Sequence, residues 1–205
     1  MTVVLRGGLE VEDPLEVTIR FVEAYPAYDA RDSRPGSFDE SDLRHANRGG
    51  ARIAAAQIAA ILERRSRIER ALRSIAPDAS LADEPVPWRS LTQLFGAFAE
   101  ISGVGFSKMT KALHPKRRAL IPMLDSVVQS YLAADDPKAP FAERATALVR
   151  SYKQDLDRNL TALREVQREL VARGHSPLTE VRILDVLIWS ALAPVEQRQQ
   201  EEEDV

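Results

Sequence analysis

Residues 88–132 read WRSLTQLFGAFAEISGVGFSKMTKALHPKRRALIPMLDSVVQSYL. Trp88, Leu91, Leu94, Phe95, Phe98 and Ile101 recur at three- and four-residue spacing, which puts apolar side chains along one face of a helix. Pro87 suits the start of that helix. Gly103 and Gly105 bracket Val104 and predict a turn in which the backbone takes positive φ, too tight for a Cβ. Phe106, Met109 and Leu113 then resume the helical period. The stretch reads as helix, glycine hairpin, helix, basic loop and acid, and it makes the chain all-α.

Between Glu100 and Asp125 there is no acidic residue, while Lys108, Lys111, Lys116, Arg117 and Arg118 are positive. A helix N-terminus presents free backbone N–H groups and partial positive charge, so a Gly-Val-Gly turn opening a helix beside lysines suits a phosphate. The competing reading is a glycine-containing corner between two helices with a solvated basic face.

Ile101-Ser-Gly-Val-Gly-Phe-Ser-Lys-Met resembles the Leu-Pro-Gly-Val-Gly hairpin of the helix-hairpin-helix DNA glycosylases. Leu124-Asp125-Ser126-Val127-Val128 resembles the Val-Asp-Thr-His segment that carries their catalytic aspartate. The residue two past the second hairpin glycine, a lysine nucleophile in members that also nick DNA, falls on Ser107, and Asp125 lies 18 positions later (125 − 107) in the family's register. The resemblance implies two helical lobes, a catalytic Asp125 and DNA contacts from Gly103, Val104, Gly105, Lys108, Lys111, Lys116, Arg117 and Arg118. This chain departs from the pattern at Ser107, at Ser102 where the family has proline, and at Phe106 where a polar residue is usual. The runs Lys111-Ala-Leu-His-Pro-Lys-Arg and Leu120-Ile-Pro-Met-Leu-Asp are also similar to a group of uncharacterised bacterial proteins, a likeness that brings no activity with it.

A chain of 205 residues, 44% of them hydrophobic, is long enough to bury a sizeable core. It has no cysteine, which excludes disulfides, zinc-thiolate sites and the iron-sulfur cluster of some of these glycosylases. The longest nearly apolar run, Val186 to Ala193, is too short to span a bilayer, and the N-terminus has no signal-peptide pattern. A cytoplasmic protein that keeps off membranes is expected. Of the net charge of −3, residues 196–205 contribute −4 (five acids less Arg198), leaving +1 for the rest, so the total neither supports nor excludes DNA.

The expected organisation is an N-terminal arm and short helix over 1–36, a helical glycosylase-like domain over 37–194, and an acidic disordered tail over 195–205. Residues 77–87, with three prolines and three acids, are expected to link two lobes. Val3 to Val11 predicts a small hairpin or an extended arm; Pro14 opens a helix that Tyr25-Pro26 ends; Arg31 to Ser37 is a loop. Ser37 or Asp39 caps a helix reaching about His45, and Gly49-Gly50 breaks it. Asn47 to Gly50 is expected to line the same cleft as the hairpin. Ala51 to Ile75 reads as an amphipathic helix interrupted near Ser66, its arginines on a solvated face or touching phosphates. Val149 to Leu170 reads as one long helix or a pair broken near Asp157 to Asn159. Gly174 stops it. Ser176 caps a last helix with Pro177 at its first position, apolar all round and therefore buried.

Asp185 in that helix is expected to accept hydrogen bonds from an arginine or a helix N-terminus, or to serve as a second cleft carboxylate. His45, His114 and His175 show no ligand spacing, so no metal and no cofactor is expected, and His114 is read as a surface residue. Two functional readings stand. One is a monofunctional DNA N-glycosylase acting on duplex DNA, in which Asp125 stabilises the oxocarbenium-like sugar. The other is a non-catalytic nucleic-acid-binding or interaction protein on the same scaffold, in which Asp125 is only a helix N-cap. The lesion and the oligomeric state stay open.

Overall fold

The structure, a computed structural model, describes residues 2–25, 29 and 33–193. The acidic tail over 195–205 lies outside them, as do Pro26 and the start of the loop expected at Arg31. Among the described residues there are nine α-helices and one two-stranded ribbon. The strands Val3–Val4 (β1) and Glu10–Val11 (β2) pair antiparallel, Val3 opposite Val11, so the N-terminal segment is a hairpin. The helices are Pro14–Ala24 (α1), Glu40–Arg48 (α2), Ala55–Glu63 (α3), Arg65–Arg73 (α4), Trp88–Gly96 (α5), Phe106–Leu113 (α6), Ser126–Tyr131 (α7), Phe141–Ala172 (α8) and Glu180–Leu192 (α9).

The 32-residue α8 is the spine, about 48 Å long at about 1.5 Å per residue. Helices α5 and α9 pack along it, with α1 and β1 against it as well, while α7 lies on α9, α4 on α5 and α2 on α6. Its polar stretch does not break it, because Asp157 and Arg158 pair within the helix, with Lys153 and Asp155, and the buried Asn159 and Asp155 have distant partners. Asn159 takes the place of a third strand: its Oδ1 accepts from Val4 N–H at 2.9 Å and its Nδ2 donates to Val4 O at 2.9 Å. Asp155, buried, is paired by Arg6 and Arg158, and the Arg6 backbone N–H donates to Tyr131 Oη. Buried polar groups are tolerable when satisfied in this way.

Three boundaries differ from expectation. The interruption expected near Ser66 in the 51–75 helix falls at Arg64, where φ is −95° and ψ 7°, and the first of the two helices begins only at Ala55; Arg64 donates to the carbonyls of Ala97 and Ala99, which fixes the corner two residues before Ser66. The last helix begins at Glu180 with Thr179 as its cap, Oγ1 accepting from Arg182 N–H at 3.2 Å. Ser176 and Pro177 lie in the preceding connection, held off by Leu178, which is buried and whose carbonyl accepts from Gln167 Nε2 at 2.6 Å. Asp39 is the cap of α2, reciprocated by Asp42, and the helix runs to Arg48, past His45.

Residues 77–87 contain no helix, yet they are built into the protein. Leu81 and Val86 are buried, Leu81 N–H donates to Ala119 O at 2.8 Å, and both belong to one cluster of buried apolar residues that runs from Val3 to Ala193. Among the described residues no helix is long and apolar enough to cross a membrane.

Candidate nucleic-acid interface and the Asp125 loop

The glycine turn joins α5 to α6 through residues 97–105. Gly103 has φ +71°, and the Val104 N–H donates to Ile101 O at 3.0 Å. Gly105 corrects the expectation: its φ is −91°, extended backbone open to any residue, and it is the N-cap of α6. Val104 is buried, which leaves only its backbone to meet a ligand.

Helix α3 approaches this turn end-on. Gln57 Nε2 donates to Gly103 O at 3.1 Å, and Gln57 Oε1 accepts from Ala54 N–H at 3.1 Å and from Lys108 Nζ at 2.7 Å. Lys108 Nζ also donates to Gly103 O at 3.0 Å, leaving one of an ammonium's three donors. Gln57 Oε1 thus closes the Ala54 N–H at the start of α3, while no side chain caps the N-terminus of α6, so the open positive helix end beside the ammonium is that of α6. A Cβ at Gly103 would collide with the Gln57 amide, whereas one at Gly105 would meet nothing within 4 Å. Gly103→Ala is therefore expected to cost about 1–3 kcal/mol for a strained left-handed alanine, and Gly105→Ala to leave the urea midpoint nearly unchanged. Equal losses at the two positions would contradict the geometry.

The other expected phosphate ligands divide. Lys111 is half-buried, its Nζ donating to Gly49 O at 2.7 Å, so the Gly49-Gly50 loop does lie against α6. Arg118 is half-buried too, and its carbonyl accepts from Thr179 Oγ1. Lys116 and Arg117 are corrections, since both are buried. Lys116 pairs with buried Asp42 at 2.7 Å. The Arg117 guanidinium donates to Leu72 O and Ile75 O at 2.6 and 2.7 Å, and to Pro35 O and Lys116 O at 2.8 and 2.6 Å. Buried in this way, both serve the fold and present no charge to solvent. Their partners come from segments distant in the chain, so the local spacing carries no signal for this burial.

Asp125 is half-exposed and caps α7, its Oδ1 accepting from Val128 N–H at 2.9 Å. The preceding residue ties this loop to α6: Leu124 N–H donates to Thr110 Oγ1 at 3.0 Å, and Thr110 stands one turn beyond half-buried Ser107. Behind the loop lies Asp185, 3% exposed. Its Oδ2 accepts from Met123 N–H at 3.1 Å while Oδ1 is buried without a partner among the described residues. Burial, opposed by Arg182 and reinforced by the charge of Asp125, pushes the Asp185 carboxyl up to about 8. Burial also raises the neighbouring Tyr152 hydroxyl, which donates to Val181 O. His114 is buried rather than on the surface. Burial and Arg182 lower it to about 4, which leaves a neutral ring whose Nδ1–H donates to Ile121 O at 2.7 Å. Three inward polar contacts, at His114, Thr110 and Asp185, thus hold the 121–125 loop. Among the described residues no cluster of three metal-ligating side chains is present.

The chain belongs to the Family of unknown function (DUF6308), whose pattern matches residues 13–192, the hairpin and the Asp125 loop included. No curated protein and no solved structure matches it.

Proposed function

We propose that this chain binds the phosphate backbone of duplex DNA at the Gly103 turn and is a monofunctional DNA N-glycosylase of the helix-hairpin-helix kind. The observation that carries the reading is the uncapped N-terminus of α6 at that turn, with Lys108 and the start of α3 beside it. Backbone N–H groups and a lysine are what a phosphate needs. The Lys108 and Lys111 ammonium groups are tied to Gly103 O and Gly49 O, which supports backbone binding over attack on the sugar.

In the catalytic half of the proposal, the target base leaves the stack and its N-glycosyl bond breaks. Asp125 stabilises the positive charge that develops at C1′ and takes a proton from the attacking water, so the products are a free base and an abasic sugar. Ser107, in the position of the nicking lysine, cannot form an imine. A second reading, binding without chemistry, is favoured by one observation: the Asp125 Oδ1 bond to Val128 N–H is what a purely capping acid makes.

Two measurements test the proposal. Fluorescence anisotropy with a labelled duplex should show a salt slope that falls by about two in Lys108→Ala/Lys111→Ala, because each lysine removed frees about one phosphate to keep its counterion. Unchanged affinity and slope would remove the hairpin from the interface. Across duplexes bearing common damaged bases, abasic-site formation should fall about 100- to 1,000-fold in Asp125→Asn with binding retained, and borohydride should trap no covalent adduct. Binding with no excision by the parent protein would leave the second reading.

A further inference from the structure

A second basic surface lies beside the hairpin. An open groove of about 610 Å³ runs between α4, α5 and the start of α8, lined among others by Arg67, Arg70, Arg89, Gln93 and Glu143. All three arginines are exposed, and among the described residues none has a hydrogen-bond or ion-pair partner. Their neighbours differ. Arg65 and Arg73 both pair with Glu69, and Arg64 is held by the Ala97 and Ala99 carbonyls. The acid within α4 is thus engaged by other arginines, and the groove faces solvent with three guanidiniums against one carboxylate, Glu143.

The groove ends where α5 ends. Gly96 forms part of its lining, and a Cβ there would stand 3.8 Å from Arg67 Nη2 and 3.7 Å from Ala142 Cβ. The residue before Ala142, Phe141, packs its ring, tilted by 47°, against that of Phe106, the first residue of α6, with ring centroids 4.8 Å apart. One end of the arginine groove therefore adjoins the helix whose N-terminus opens at the hairpin. Arg67 and Arg70 sit three residues apart, about 4.5 Å along the helix axis, with Arg89 contributed by the neighbouring helix. Guanidinium groups suit phosphate oxygens because their forked donors match them two at a time. A shallow open groove suits a chain of phosphates better than an enclosed small molecule, which calls for a concave and largely apolar site.

We infer that Arg67, Arg70 and Arg89 form a second phosphodiester-binding surface that takes the nucleic-acid backbone onward from the hairpin, an inference that rests on the DNA-binding reading above. Charge selects the ligand. The carboxylate of Glu143 opposes it and limits affinity.

The test uses the full chain and a labelled duplex, with anisotropy measured at 50 and 200 mM salt. Three phosphate contacts contribute about 2.7 to the salt slope, so the fourfold rise in salt should weaken the parent by about 40-fold more than Arg67→Gln/Arg70→Gln/Arg89→Gln. Glu143→Gln should tighten binding severalfold. Exposed substitutions of this kind leave thermal unfolding nearly unchanged, which is checked on the same samples. If the triple variant keeps the parent's slope while Lys108→Ala/Lys111→Ala loses it, this inference is overturned and the hairpin reading stands. If the triple variant loses slope and the lysine variant does not, the groove is the interface and the hairpin reading fails. A parent protein that binds no duplex overturns both.

Discussion

Replacing Arg117 with Met is expected to lower the unfolding free energy by about 5 kcal/mol. The guanidinium holds four carbonyl oxygens in a site only 2% exposed to solvent, two of them, Leu72 O and Ile75 O, at the C-terminal end of α4. Hydrogen bonds from a charged donor are worth about 1.5–3 kcal/mol each, and a buried carbonyl left bare costs about 1–3 kcal/mol. The helix end adds a favourable field, since its partial negative charge faces the cation. Methionine fills much of the volume but satisfies none of the carbonyls. Arg117→Lys keeps the charge but replaces the fork with a single ammonium, so a loss of roughly half is expected. Urea unfolding followed by circular dichroism measures both. The result also separates two roles: a phosphate-binding arginine on the surface would leave stability within about 0.5 kcal/mol and remove about one unit of salt slope. A stable Arg117→Met with a reduced slope would show the side chain to be facing DNA.

That side chain illustrates how far local spacing reaches. The apolar period of α5 and α6 and the break at Gly103 follow from the sequence, because 3.6-residue periodicity reports which face is buried. The charges in the same stretch do not declare their direction. Lys116 and Arg117 are inside because their partners, Asp42, Leu72 O and Ile75 O, are brought by segments at least 42 residues away, and nothing near position 117 encodes that meeting. The ambiguity at Asp157 to Asn159 has the same origin. Polar residues in a helix read as a break until Val4, 155 residues earlier in the chain, is seen to use Asn159, while Asp157 and Arg158 pair within the helix with Lys153 and Asp155. The arginine groove was half visible: Arg67 and Arg70 share a helix, but Arg89 joins them only through the packing of α4 on α5.

Asp185 is expected to make the protein less stable as pH rises from about 4 to about 8. In the unfolded chain its carboxyl ionises at the ordinary value of 3.8, while in the folded protein it holds its proton up to about 8. Between those values the folded state binds more protons than the unfolded state, so stability falls with pH; the contribution is full below 3.8 and gone above about 8. A displacement of about four pH units corresponds to a loss on the order of 5 kcal/mol at full titration. Asp185→Asn removes the titration and keeps an oxygen for Met123 N–H. At pH 4 the parent and the variant should unfold at nearly the same urea concentration. At pH 8 the variant should be more stable by about 4 kcal/mol, and its pH profile across that window should be flatter by the same amount. The group stands behind the loop that positions Asp125, through the Met123 N–H that Oδ2 accepts, so the protonated carboxyl adds no negative charge beside the exposed one. Coincident profiles for parent and variant would mean that Asp185 is ionised in the folded protein and that a cation, Arg182 being nearest at hand among those facing it, compensates its burial.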